Sequence, residues 1–163
     1  GVVCSASTLG GQFCEWGLGM LCWGGMRNSG EPALGGVGAQ AEKRSGSHVR
    51  HGSGWIVRLG DGTGESHRRT QEAIDDLWAF TGEMFAIDDS ERGLIVNKVA
   101  IDPATLRPRW LKTISDVVSE ATLTLPQSEW MQQGGRSGRH SEHLGHLLSE
   151  LQSMQRTFPG ATW

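Results

Sequence analysis

No stretch of 18 apolar residues occurs in this sequence of 163, and the modestly apolar segment from Trp16 to Trp23 is broken by glycines and lacks a basic leader. Neither a membrane span nor a signal peptide is expected. Charge of one sign is lacking too: 15 basic side chains stand against 18 acidic ones, a formal net charge of -3, so nothing electrostatic points to nucleic acid or an anionic membrane as a partner. Cysteine is scarce. Cys4, Cys14 and Cys22 are odd in number and show no C-x-x-C spacing, which favours reduced thiols and a cytoplasmic setting over a disulfide scaffold. No period-2 strand pair and no internal repeat is visible. With 37% hydrophobic residues the chain can still bury one core, so a single domain over residues 1–163 is expected. Its first residue is Gly1 rather than methionine, from which a fragment is expected.

What is present is glycine, and it is uneven: 17 of the 24 glycines lie within residues 1–64. Each one inside a helix costs up to about 1 kcal/mol against alanine. The first third is therefore the locally weakest part, and residues 1–28 resist assignment. Over 34–55 the heptad-like spacing of Leu34, Val37, Ala41, His48 and Trp55 predicts a helix with His48 turned towards the core. Gly60-Asp61-Gly62 reads as a turn. Thr63 is the expected N-cap of a helix carrying Ile74, Leu77, Trp78, Thr81, Met84 and Phe85 on one face. Residues 86–101 read as a long connection with an extended piece at Leu94 to Val96. Asp102-Pro103 opens a helix that buries Trp110, Leu111, Ile114, Val117, Val118 and Ala121 and stops before Pro126, with Pro108 in its first turns arguing for a later start. A polar loop spans Gln132 to Gly138. The clearest helix follows, with Leu144, Leu147, Leu148, Leu151, Met154 and Phe158 at spacings of three and four before Pro159-Gly160. The chain reads as an all-α bundle with long connections.

Helical bundles that bind two irons place Glu-x-x-His on each of two helices, because residues three apart project together into the interior. The residues three before His48, His51, His67, His140, His143 and His146 are Ser45, His48, Gly64, Ser137, His140 and His143, so the motif is absent. His140, His143 and His146 step by roughly 300° each, leaving the outer two about 120° apart around the helix, and do not converge on one ion. "RLGDGTGES" follows a helix pattern rather than a strand and lacks the Gly-Lys-Ser/Thr ending of a phosphate loop. Trp55, Trp78 and Trp110 lie on apolar helix faces and serve core packing or a subunit interface. No catalytic residue, no cofactor-binding residue and no metal ligand is assigned; His48 stands as a vestigial candidate.

"GWIVRLGDGTGESHRRTQEAIDDLWAFTGEMF" (54–85), "AIDPATLRPRW" (100–110), "EATLTLPQ" (120–127) and "GGRSGRHSEHLGHLLSELQSMQRTFPGATW" (134–163) together resemble the carboxy-terminal part of the structural subunits of bacterial phenylacetyl-CoA ring epoxidases. The resemblance is strong from Ser53 to Trp163 and runs more faintly back to Ser29, so residues 29–163 are the family-like part. It implies a ferritin-like helical bundle, incomplete at its amino terminus, which acts as the non-catalytic subunit of a multicomponent di-iron monooxygenase in aerobic phenylacetate catabolism. It implies no cofactor on this chain: di-iron belongs to a homologous catalytic subunit, and FAD, an iron-sulfur centre and NADPH belong to a reductase component. Partners are then the catalytic subunit and the other subunits of the complex, and no activity resides in this chain alone. Where relatives carry a pattern close to Lys-Glu-x-Arg-Tyr-His, this chain reads "KRSGSH", with Arg44 for the glutamate and Ser47 for the tyrosine. A cation in that place would be costly beside a neutral histidine in a core and cannot ligate iron. A local reading-frame slip, closed before His48, is one expected origin of the change, real divergence the other. Two rival readings remain at this level: a stand-alone metal-dependent oxidoreductase using His48, His51 and Glu72 or Asp75, and an unrelated helical interaction module.

Overall fold

The computed structural model of the chain describes residues 5–162. Among the described residues, seven α-helices and three short 3-10 turns make up the regular structure, with no strand. Two compact units divide between Met131 and Gln132.

In the first unit, α1 (Ser5–Met26) and α2 (Pro32–Gly60) form a long antiparallel pair, against which α3 (Gly64–Trp78) and α5 (Arg107–Glu120) pack. Residues 1–28, unassignable by periodicity, thus contain a helix of 22 residues. Its buried face is Ala6, Gly10, Phe13, Gly17 and Leu21, and the buried face of α2 is Gly38, Val49, Gly52, Ile56 and Gly60. Small residues on both helices let the backbones approach. A β-carbon on Gly38 would lie 2.9 Å from the Trp23 carbonyl oxygen, and one on Gly52 would lie 3.2 Å from the Trp16 ring. Glycines expected to weaken this region are the contact surface itself.

That packing corrects the expected orientation of α2. The stripe through Val37, His48 and Trp55 faces outward, and Trp55 is 42% exposed. Glycine carries no hydrophobic signal, so the periodicity marked the bulky face and not the buried one.

Trp110 is the centre of the core, 2% exposed. Its indole N–H donates to the Cys14 carbonyl oxygen at 2.9 Å, and its ring stacks on Trp78 at 5.8 Å and meets the edge of Phe85 at 5.1 Å. The indole lies over α1 where Gly17 offers no side chain, a β-carbon there being 3.3 Å from the ring. Ile56, Ile114 and Val118 complete the surroundings. Within this core a cavity of about 20 Å³, lined by side chains such as Phe13, Ile74 and Leu125, has room for a single water at most.

The Gly60–Thr63 segment is the expected turn: Thr63 caps α3 by accepting from the Ser66 N–H. The helix then ends at Trp78 instead of running to Phe85, because Thr81 turns its hydroxyl back onto the Trp78 carbonyl and a 3-10 turn, Gly82–Phe85, carries the remaining inward side chains. Residues 86–101 depart further from expectation. Asp88 and Glu91 form a reciprocal capping box that starts α4 (Asp89–Val96), so Leu94 to Val96 are helical and not extended. Lys98, at φ 56°, stops it. Asp102 does cap the following turn, accepting from the Ala104 N–H, yet Pro103–Leu106 is 3-10 and α5 begins at Arg107, with Pro108 in its first turn. Leu111, expected inside, is exposed. After α5, Gln71 of α3 clamps the chain by donating to the Thr124 carbonyl and accepting from its N–H, both at 2.9 Å.

In the second unit the clearest predicted helix is present but interrupted at Gln152 into α6 (Glu142–Leu151) and α7 (Ser153–Thr157). The expected polar loop holds a 3-10 turn, Gly135–Ser137, between Gly134 and Gly138, both in the left-handed region.

Candidate functional site

The histidines are scattered. His48 is exposed on α2 and leans on the Trp16 ring at 5.2 Å, so its expected place in the core is corrected. Arg44 is exposed as well, and the cost foreseen for a buried cation does not arise. His51 meets the edge of Trp55 at 6.4 Å. His67 sits half-buried with Nδ1 2.7 Å from the Gly60 carbonyl oxygen, which holds the turn into α3. His140, His143 and His146 are exposed.

The carboxylates of the oxidoreductase reading are engaged elsewhere. Glu72 accepts from Arg68 at 2.6 Å and Asp75 from Gln71 at 2.9 Å, both on the exposed face of α3. Among the described residues no three His, Cys, Asp or Glu side chains gather as ion ligands. The donors present do not fit a di-iron group. Cys14 is no better a nucleophile, since burial pushes its thiol up to about 11, and burial raises Cys22 in the same direction. Cys4 lies outside the described residues.

What the fold offers outward is apolar helix surface. Leu147, Leu148 and Leu151 on α6, Met154 on α7 and Phe158 just after it are exposed, Leu151 by 66% and Phe158 by 54%. Sequence periodicity found this stripe and placed it in a core; within the second unit its side chains are exposed. In the first unit the outward stripe of α2 is the second such surface, where the Arg58 guanidinium lies 5.5 Å above the Trp55 ring. Trp130, 64% exposed, had no periodic signal to mark it. Stripes of this size on a helix are the usual material of a protein interface, because burying apolar area is what holds subunits together.

The family described as phenylacetic acid catabolic protein matches residues 7–163. A curated relative, one of the subunits of the 1,2-phenylacetyl-CoA epoxidase of Escherichia coli (strain K12), is 41% identical over 138 residues, which cover 85% of this chain and 56% of the relative. The chain thus spans about half the length of the relative it matches.

Proposed function

The chain belongs to the phenylacetic acid catabolic protein family, and from that premise we propose that it is the structural subunit of a multicomponent monooxygenase that epoxidises the ring of phenylacetyl-CoA. The observation that carries this reading is the 41% identity to one component of a phenylacetyl-CoA epoxidase, maintained over most of the chain. Oxygen activation belongs to a homologous catalytic subunit with its di-iron centre. Electrons reach that centre from NADPH through a reductase holding FAD and an iron-sulfur cluster. This chain holds neither a catalytic residue nor an intact metal ligand, and His48 is the vestige of one.

The physical work of such a subunit is burial. Uncovered leucines, Met154 and Phe158 on the second unit, and the Val37–Trp55 face of α2, supply apolar area that a partner helix can cover at about 25 cal/mol per Å². Interfaces of permanent complexes are built this way, and the partner's helices gain rigidity from it. Co-expression with the catalytic subunit of the same pathway tests the assignment. The two chains are expected to co-purify at fixed stoichiometry and to epoxidise phenylacetyl-CoA once reductase is added. Separate elution of the two chains would favour an unrelated helical module, and turnover by this chain without its partner would favour the oxidoreductase.

A further inference from the structure

Between α1 and α2, beside the start of α5, a cleft of about 440 Å³ opens to solvent, a volume within the range of about 300–1,000 Å³ typical of small-ligand sites. Lys43 and Arg50 of α2 and Arg109 of α5 line it, and its floor is Met20, Leu21 and glycines. The single carboxylate in the lining, Glu42, is already taken by Arg27 at 2.9 Å. Four further cations of the first unit are neutralised locally, Arg68 by Glu65 and Glu72, Arg69 by Glu65, Arg92 by Asp89 and Lys112 by Asp116, while Arg44, Arg58, Lys98 and Arg107 make no ion pair among the described residues and lie outside the cleft lining. The three cleft cations have no such carboxylate among the described residues. Three cations without an ion pair thus line one concave place.

The cleft is built as well as charged. Gly24 lets Glu42 cross towards Arg27, since a β-carbon there would lie 2.9 Å from the Glu42 carboxylate, and that ion pair holds one wall. Ser47 back-bonds to the Lys43 carbonyl oxygen at 3.3 Å and accepts from one Arg50 nitrogen at 3.0 Å, which fixes the guanidinium while leaving its other donors for a ligand. Gly46 keeps the space clear: its missing β-carbon would stand 3.8 Å from both the Arg50 guanidinium and the Met20 sulfur. The "KRSGSH" segment supplies the lysine, the positioning serine and the gap.

We propose that this cleft binds a small phosphorylated molecule, its phosphate oxygens held by Lys43, Arg50 and Arg109 and its less polar body resting on the Met20–Leu21 floor. Guanidinium and ammonium groups recognise phosphate by charge-assisted hydrogen bonds, and three of them suit a di- or triphosphate better than a single carboxylate. The site takes no part in the epoxidation assignment and stands or falls apart from it.

The test is calorimetric titration of the whole chain with adenosine diphosphate and, separately, with inorganic pyrophosphate, at low and at physiological salt. Saturable binding that weakens as salt rises is expected. Equal affinity for the two probes would mean that the cations alone read phosphate, and tighter binding of the nucleotide would mean that the floor contributes. Pairing Arg50→Gln with Arg109→Gln, both with exposed side chains, is expected to weaken binding about tenfold or more. Gly46→Leu is expected to fill the cleft and abolish binding, while Arg92→Gln leaves it unchanged. No heat with either probe, or wild-type affinity in the doubly substituted chain with its helical circular dichroism intact, would overturn the proposal.

Discussion

Single residues set what this chain can do chemically, and most are spent on structure. Trp110 is the clearest example: one indole on α5 joins α1, α3 and the Gly82–Phe85 turn through a hydrogen bond to Cys14 and ring contacts with Trp78 and Phe85, and glycine at position 17 leaves it room, a β-carbon there standing 3.3 Å from the ring. Cys14, on the same side of α1, is held as a neutral thiol. Its ordinary value of 9.0 is raised to about 11, so at pH 8 its thiolate fraction falls about a hundredfold below that of a free thiol. Alkylation by iodoacetamide at that pH is expected to be slower than for a small thiol by at least that factor, and a rate matching free cysteine would show that the burial described here is absent. Because the folded value is raised, the neutral thiol stabilises the fold fully below pH 9 and that contribution fades as pH rises through about 11.

Among the elements, helices are announced more clearly by the sequence than their orientation is. Leu144 to Leu151 and Ile74 to Trp78 were legible because bulky apolar residues repeat at helical spacing, whereas α1 and the inner face of α2 were not, because glycine packs by being absent. The short α4 was hidden behind the β-branched Ile95 and Val96, and only the Asp88–Glu91 spacing could have revealed it. Glycine substitutions separate the two roles. Gly54→Ala has nothing within 4 Å and is expected to stabilise by up to about 1 kcal/mol through helix propensity. Gly38→Ala, facing the α1 backbone, is expected to destabilise despite the same gain, and chemical denaturation of the two variants reads the difference in sign. On α3, Arg68 and Arg69 hold the Glu65 carboxyl down at about 2 from an ordinary 4.5. A depressed carboxylate favours the fold above its ordinary value and loses that favour as pH falls towards the folded one. Carboxyl chemical shifts are expected to titrate accordingly, and Arg68→Gln should move the Glu65 midpoint upward; with the pair on the solvent-exposed face, the thermal midpoint should hardly respond.

Among the described residues, the exposed apolar faces of α2 and α6 are what the proposed role as a structural subunit would use. The candidate site was half legible: the leucine stripe of α6 could be seen in the sequence, but its exposure could not, since periodicity reports that a face is apolar and never what covers it. Replacing Leu148 and Leu151 by aspartate should leave the far-ultraviolet spectrum and the thermal midpoint of the first unit unchanged and abolish co-purification with the catalytic subunit, because two buried charges at an interface cost far more than the leucines contributed. Retained co-purification would move the interface to the α2 stripe, where Trp55→Ala makes the equivalent change.

Iron analysis of the two chains, purified separately and together after aerobic iron loading, decides whether this polypeptide supports a metal centre or holds one. Stoichiometric iron is expected with the catalytic subunit and with the complex, and none retained by this chain alone. A binuclear iron centre retained by this chain on its own, with oxygen-dependent turnover, would contradict the assignment.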